Sequence, residues 1–323
     1  MNFAILRDKA FADEPLSRAE CQGIFQCPPE QLEELSQYVY EVRRRYKGNG
    51  VSVQILTNAK SGNCDQNCAY CAQSAVSSAK IDKYPLVPFE ILGNNASIAS
   101  EKKVNRHCIG LSGMRFRDDP IDAFCDHIRR LDSKTPICCS IGFVTRSQAV
   151  KLKEAGITRI NHNLNTGRNF YPKICTTHTY DERLANIEML RSVGFEICCG
   201  GIVGMGESDD DVIDMLLDVR RIAPECVPIN FLIPISGTPL EASDTQKLTP
   251  EYCLKVLMLA RLLNPKTDVR CAAGRELYLR DHHALMFRAV NSIFAAGYLT
   301  TSGDGIGETI QIIEECGFKH DPK

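Results

Sequence analysis

The sequence contains no tryptophan, and tyrosine and phenylalanine bring its aromatic content to only 7%. It also lacks a surplus of either charge, with 38 Lys and Arg against 40 Asp and Glu and a formal net charge of −2. That balance argues against nucleic acid as the main partner, because phosphate-binding surfaces need an excess of basic residues. No run approaches the roughly 18 uninterrupted apolar residues of a membrane-spanning helix, and the apolar start at 1–6 is far too short for a secretory signal. The expectation is a cytoplasmic protein without membrane contact. No low-complexity tract or Gly/Ser linker divides the chain, so its 323 residues read as one large domain with extensions.

Cysteine, in contrast, is abundant, with sixteen residues. In a chain with no export signal these read as reduced thiols, some of them ligands, and together with the missing tryptophan they fit a reducing interior. Three of them, Cys64, Cys68 and Cys71, stand at a C-x₃-C-x₂-C spacing within 61–74. Thiolates select soft metals and iron–sulfur clusters over hard ions. A closed zinc site wants four ligands, usually in two separated pairs, and this loop offers three. A cubane [4Fe-4S] cluster with one iron left open fits that count. The alternative is a zinc knuckle completed by a distant His or Cys. The spacing, with Tyr70 just before the last cysteine, resembles the radical S-adenosylmethionine superfamily, in which the open iron takes the amino and carboxylate groups of the methionine moiety.

Downstream of a helical segment at 29–46, short β-rich runs alternate with amphipathic ones. The strand candidates are 51–56, 107–111, 137–142, 159–164, 196–203, 227–233, 269–273 and 292–295. Helical candidates between them are 88–103, 120–131, 146–155, 180–193, 208–222, 250–263 and 280–290. Eight such βα units predict an α/β fold, a (β/α)₈ TIM-type barrel over 51–300. An N-terminal helical extension at 1–50, opening on a polar lead-in up to residue 30, precedes it. A C-terminal extension at 301–323 with an amphipathic segment at 308–316 follows. The run Arg43-Arg44-Arg45 reads as a solvated helix end. Asp209, Asp210 and Asp211 read as a favourable helix start rather than a metal site.

Successive strand residues point to opposite faces, so parity sorts lumen from helix side. In 159–165 the apolar Ile160 and Leu164 share one face with His162, which leaves Asn161, Asn163 and Asn165 facing the lumen. Each amide left unsatisfied against packed helices would cost about 1–3 kcal/mol, so a polar ligand is expected there. Parity likewise turns Cys108, Cys138 and Arg270 inward, and Cys139 and Cys271 toward the helices; His107 reads as a packed core histidine. Glycines blur the fifth strand, where Cys198 is placed inward by its likeness in position to Cys138.

The ordered set of motifs resembles the biotin synthase family. It comprises Gly62-Asn63-Cys64 through Ala72-Gln73-Ser74, Asn161-His162-Asn163-Leu164-Asn165-Thr166, Thr176-Thr177-His178-Thr179-Tyr180, Cys198 with Gly200-Gly201-Ile202-Val203-Gly204, Val227-Pro228-Ile229-Asn230, Gly237-Thr238-Pro239-Leu240 and Val269-Arg270-Cys271-Ala272-Ala273-Gly274-Arg275. The likeness runs from about Val51 to Tyr298. It implies insertion of sulfur into dethiobiotin to form biotin. A [4Fe-4S] cluster on Cys64, Cys68 and Cys71 would cleave S-adenosyl-L-methionine to the radical that takes hydrogen from the substrate. An auxiliary cluster on Cys108, Cys138, Cys198 and Arg270 would supply the sulfur. Cys64, Cys68, Cys71, Cys198 and Arg270 are thereby the implied catalytic set. Tyr70, Gly200, Gly201, Asn163, Asn165 and His178 are implied at the cofactor, and Asn161, Asn163 and Asn230 at the substrate. A flavodoxin- or ferredoxin-type electron donor and a homodimer are implied as well.

Two positions depart from the family pattern, Asn165 where Asp is usual and His178 where Arg is expected. The surplus thiols Cys139, Cys199, Cys226 and Cys271 leave two readings of the auxiliary centre. It is either a [2Fe-2S] cluster amid small buried hydrophobes, or a four-iron type with an extra sulfide or one recruited thiol. Another radical S-adenosylmethionine barrel enzyme, of the hydrogenase-maturase kind, would share the first loop but lack the Asn163 and Asn230 set. A non-enzymatic iron–sulfur sensor would need no open iron.

Overall fold

In the first strand Val51, Val53 and Ile55 alternate with Ser52, Gln54 and Leu56, and the computed structural model, which describes residues 1–322, buries the former against helices and turns the latter inward. The strands are β1 (Gly50–Lys60), β2 (Arg106–Leu111), β3 (Ile137–Ser140), β4 (Ile157–Asn161), β5 (Glu196–Cys198), β6 (Gly201–Val203), β7 (Cys226–Phe231), β8 (Asp268–Cys271), β9 (Ser292–Ala295) and β10 (Lys319–His320). All pairings between these strands are parallel, and β1 pairs with both β2 and β9, which closes the sheet into a barrel of eight positions. The expected (β/α)₈ architecture is thus present, with the lumen opening where the strands end.

The fifth position is two short strands rather than the single run 196–203. Both β5 and β6 pair with β7, at Cys198↔Cys226 and Gly201↔Ile229. Between them Gly200 passes so close to β7 that a Cβ would sit 2.0 Å from the carbonyl oxygen of Pro228. Pro228 has no N–H to give the ladder, so the pairing breaks at this point.

Side-chain caps set where the outer helices begin. Thr145 with Gln148, Thr179 with Glu182 and Ser208 with Asp211 form reciprocal capping boxes ahead of Arg146–Glu154, Tyr180–Ser192 and Asp209–Ile222. Asp211 is therefore spent on its helix start, while Asp209 pairs with Lys247 and Asp210 with Arg18.

Two expectations for the N-terminal part are corrected. Residues 1–30 are not a polar lead-in: helices Phe3–Ala12 and Arg18–Phe25 precede Leu32–Lys47 and bury Phe3, Leu6, Ala10, Cys21 and Ile24. They pack on the barrel-layer helix Pro250–Leu263, whose residues Cys253 to Leu263 are consequently all buried. Arg43 is not solvated. Its position with Ser36 and Val39 on the inner face carries the guanidinium into the core, where it donates to the carbonyls of Val290 (3.0 Å), Gly48 (2.6 Å) and Gly50 (3.0 Å) and lies over Phe318. At the other end of the chain, helix Ile306–Glu315 leads to β10, which pairs beside the start of β1 at Gly50↔Lys319.

Candidate active site

One cavity of about 380 Å³ runs from the loop after β1 down into the barrel. The loop is shaped by its own backbone: Cys64 N–H donates to Gln73 (3.3 Å), Ala75 N–H to Gln66 (2.7 Å) and Cys71 N–H to Cys68 (3.1 Å). Two sequence motifs dock it from outside. Asn67 Oδ1 accepts the N–H groups of Thr176 (3.0 Å) and Thr177 (3.2 Å), and Ser78 N–H donates to the carbonyl of Gly237 (2.8 Å). Gly237 is required there, since its φ is +85° and a Cβ would meet Ala79 N at 2.5 Å. Cys64, Cys68 and Cys71 all reach the cavity wall. Three thiols on one wall, with no fourth cysteine of the loop among the wall residues, fit a cluster with one open iron, while behind the wall Cys175 and His178 lie with Cys68 so that the ligand atoms of all three are within 4.8 Å of one another. Burial pushes the Cys71 thiol up to about 11, so cluster loading must displace its proton.

Deeper in the lumen lies a second group. Cys108, Cys138, Cys198 and Arg270 all line the cavity, as their parity and position required. Cys108 and Cys138 are register partners on β2 and β3, and Asn161 faces Cys198 across β4 and β5. Cys108 Sγ lies 3.5 Å from Gln54 Oε1, and Asn161 Nδ2 lies 3.4 Å from Cys198 Sγ. Arg270 donates Nε–H to Ser292 Oγ (3.0 Å) and places Nη1 3.9 Å from Cys198 Sγ. Its Nη2 is buried with no hydrogen-bond partner among the described residues. A guanidinium with a donor left over beside three thiols suits an anionic iron–sulfur centre, because an unpaired buried donor is otherwise costly. The neighbouring Cys226 thiol, and then the Arg270 charge, hold Cys198 below its ordinary thiol range against the effect of burial.

The surplus thiols separate cleanly. Cys139, Cys199 and Cys271 belong to the apolar core, and burial, the largest cause, pushes the latter two up to about 12. Cys226 differs: it is the register partner of Cys198 and by strand parity lies on the side of β7 that carries Pro228 and Asn230, although it is buried and off the cavity wall.

The asparagines border the upper cavity. Asn163 Oδ1 accepts Gly200 N–H (3.1 Å), Asn230 bridges the Gly201 carbonyl (3.0 Å) and Ala273 N–H (3.2 Å), and Asn165 Nδ2 donates to Tyr70 Oη (2.8 Å). Asn165 takes φ +73°, a conformation that asparagine tolerates better than most residues. Two expectations shift here. Gly200 and Gly201 are not on the cavity wall; a Cβ on either would collide with Pro228 or with Met215 Sδ and the Asn165 carbonyl, so interstrand packing demands them. His178 is likewise off the wall, buried beneath the loop between Gln66 Oε1 (2.9 Å) and Arg183 Nη2 (2.7 Å).

Arg183 itself escaped the sequence reasoning. It lines the cavity, donates to the Asn163 carbonyl (3.0 Å) and contacts Tyr171 Oη. Its signal was present, since Tyr180, Arg183 and Ile187 share a helical stripe in which an arginine stands among buried apolar residues. The roof was missed too. Tyr298, Leu299, Thr300 and Thr301 close the cavity, tied by Asn58 Nδ2 to the Leu299 carbonyl (3.0 Å), and Gly110 leaves the space that the Leu299 side chain fills.

Comparison with known proteins accords with this geometry. The radical SAM superfamily profile matches residues 58–219, and the biotin and thiamin synthesis associated domain matches 228–319. Among curated relatives, biotin synthase of Geobacillus kaustophilus is 39% identical, with 98% of this chain and 96% of that protein covered, and biotin synthase of Bacillus subtilis is 37% identical, with 97% and 94% covered. Among solved structures, methylornithine synthase superposes with a TM-score of 0.83 at 19% identity over 98% of this chain and 97% of that one. The [FeFe]-hydrogenase maturase of Carboxydothermus hydrogenoformans gives 0.81 at 18% over 98% and 78%; both likenesses concern the fold. Among the described residues, no helix is long and apolar enough to cross a membrane. A barrel with two tiers of thiols, matched along nearly its whole length by these relatives, belongs to the biotin synthase family.

Proposed function

We propose that this chain converts dethiobiotin to biotin, and the observation that carries the reading is the pair of thiol sets at two depths of one cavity. When bound, the first cluster with S-adenosyl-L-methionine supplies hydrogen-atom abstraction, and the auxiliary cluster supplies sulfur. The protein's own part is position and electrostatics. Cys64, Cys68 and Cys71 would hold the first cluster, and Cys108, Cys138 and Cys198, with Arg270 beside them, would hold the auxiliary one. Arg183, its guanidinium held by Tyr171, the Asn163 carbonyl and His178, keeps a fixed positive charge on the cavity wall that would suit the carboxylate of the cofactor. Tyr70, fixed by Asn165, borders the adenine, and Gly200, Gly201 and His178 act on the cofactor pocket through the side chains they position. Asn161, Asn163 and Asn230 offer amides to the cyclic urea of the substrate, which has one carbonyl acceptor and two N–H donors.

Cys226, paired in register with Cys198, favours a four-iron auxiliary centre, with this thiol or an extra sulfide at the iron not held by Cys108, Cys138 or Cys198 and with Arg270 beside the centre as a counter-charge rather than a ligand. Mössbauer spectra of anaerobically purified protein decide the point, and a two-iron auxiliary signal would sink it. A flavodoxin- or ferredoxin-type donor, a homodimer and a cytoplasmic location belong to the same reading. The central test is anaerobic incubation with dethiobiotin, S-adenosyl-L-methionine and a reductant, with biotin sought by mass. Deoxyadenosine without biotin would overturn the substrate while leaving the radical chemistry in place.

A further inference from the structure

Cys175 has no part in either thiol set, yet its Sγ lies 3.8 Å from Sγ of the cluster ligand Cys68. Both side chains are buried, and Cys68 alone of the two reaches the cavity wall. Their approach does not depend on a cluster. Asn67, next to Cys68, accepts the N–H groups of Thr176 and Thr177, next to Cys175, and donates to Thr176 Oγ1 (2.6 Å), while Ala69 N–H donates to the Ile174 carbonyl (2.9 Å). Two segments over a hundred positions apart in sequence are thus stapled on either side of the thiol pair. Closing the gap to a disulfide needs about 1.8 Å of sulfur movement, from 3.8 Å to a bonded separation near 2.0 Å, within reach of χ rotation.

We propose that Cys68 and Cys175 form a reversible disulfide when the first cluster is lost, so that Cys175 is a resolving thiol that protects a cluster ligand from irreversible oxidation. The oxidant is a peroxide entering by the cavity. Cys68, the one of the pair on the cavity wall, attacks one peroxide oxygen, the O–O bond breaks, and Cys68 becomes a sulfenic acid as its thiol proton leaves with the departing hydroxide as water. Cys175, behind it, attacks that sulfur; the S–O bond breaks, the disulfide forms and water departs with the thiol proton. Two electrons have passed from the thiol pair to the peroxide. A dithiol returns them and frees both residues, and Cys68 can again hold iron. Without Cys175 the sulfenic acid has no such neighbour and proceeds to the sulfinic state, which a dithiol does not reverse.

The test uses the full chain, purified anaerobically and stripped of iron by a chelator, then treated with hydrogen peroxide. Free thiols are alkylated and peptides mapped by mass without reduction. The expected dominant cross-link joins the Cys68 and Cys175 peptides, ahead of any Cys64–Cys71 product. In a second arm the oxidised protein is reduced with dithiothreitol and reloaded with iron and sulfide, and the recovered cluster absorption is compared with that of Cys175→Ser. The variant should recover several-fold less, with Cys68 found as sulfinic acid. Absence of the Cys68–Cys175 cross-link overturns the proposal, as does equal recovery in the two proteins. The cross-link is read on cluster-free protein, so it stands or falls independently of which substrate the loaded enzyme uses.

Discussion

At the scale of single residues, burial decides most of the chemistry. His107 follows Arg106 at the start of β2 and faces the helices, its Nε2 2.7 Å from Thr57 Oγ1. Burial lowers its pKa from 6.5 to about 4. Above about pH 6.5 the ring is neutral folded or unfolded and adds no pH dependence. As pH falls from 6.5 toward 4, only the unfolded chain takes up the proton, so the folded state loses up to roughly 3 kcal/mol on this account. His107→Gln should therefore flatten the fall in urea-denaturation stability across that window relative to the parent. An unchanged slope would show that the other histidines shifted the same way, His162, His283 and His320, carry the effect instead. Parity made the placement of His107 legible in the sequence. Arg43 and Arg183 were not legible, because a charged residue on an apolar stripe reads as an exception until its carbonyl or cavity partner is seen.

At the scale of elements, the eight barrel strands and the outer helices were legible from period and turn residues, and their ends moved by only a few positions. The fifth strand broke instead, for a reason that involves two strands at once. Gly200 has room only for hydrogen because the Pro228 carbonyl stands where a Cβ would go, and backbone cannot swing aside as a flexible side chain can. Gly200→Ala should cost about 2–3 kcal/mol, the upper part of the roughly 1–3 kcal/mol that overpacking a core costs. Urea midpoints measure this directly, and a loss below about 0.5 kcal/mol would mean that β6 shifts freely. The helices at Phe3–Ala12 and Arg18–Phe25 stayed hidden because each is short and draws its stability from Pro250–Leu263 across the fold rather than from its own pattern.

For the whole molecule, the two thiol tiers predict separable losses. Cys64→Ala, Cys68→Ala or Cys71→Ala should abolish cleavage of S-adenosyl-L-methionine. Cys198→Ala should keep measurable cleavage while biotin formation falls at least roughly 100-fold, in line with the loss of a metal ligand. Quantifying deoxyadenosine and biotin in the same reaction separates the cases, and a parallel loss of both products from Cys198→Ala would contradict two independent centres. The first tier was legible from spacing alone. The second required strand parity, the likeness of Cys198 to Cys138 and the resemblance of the ordered motifs. The roof at Tyr298 to Thr301 had no periodic signal at all, since an irregular segment acquires a role only from what it lies over.

β1 cannot acquire both of its barrel neighbours until β9 exists, and its first residues wait still longer for β10. On a ribosome, which releases a chain from its N-terminus, the lumen thus stays an open trough until nearly the whole sequence has emerged. Cys108, Cys138 and Cys198 pass through that interval unwalled, and until β8 is made they stand without Arg270. The lower set of Cys108, Cys138, Cys198 and Arg270 is therefore first complete once β8 has been made, and first walled in once β9 pairs with β1.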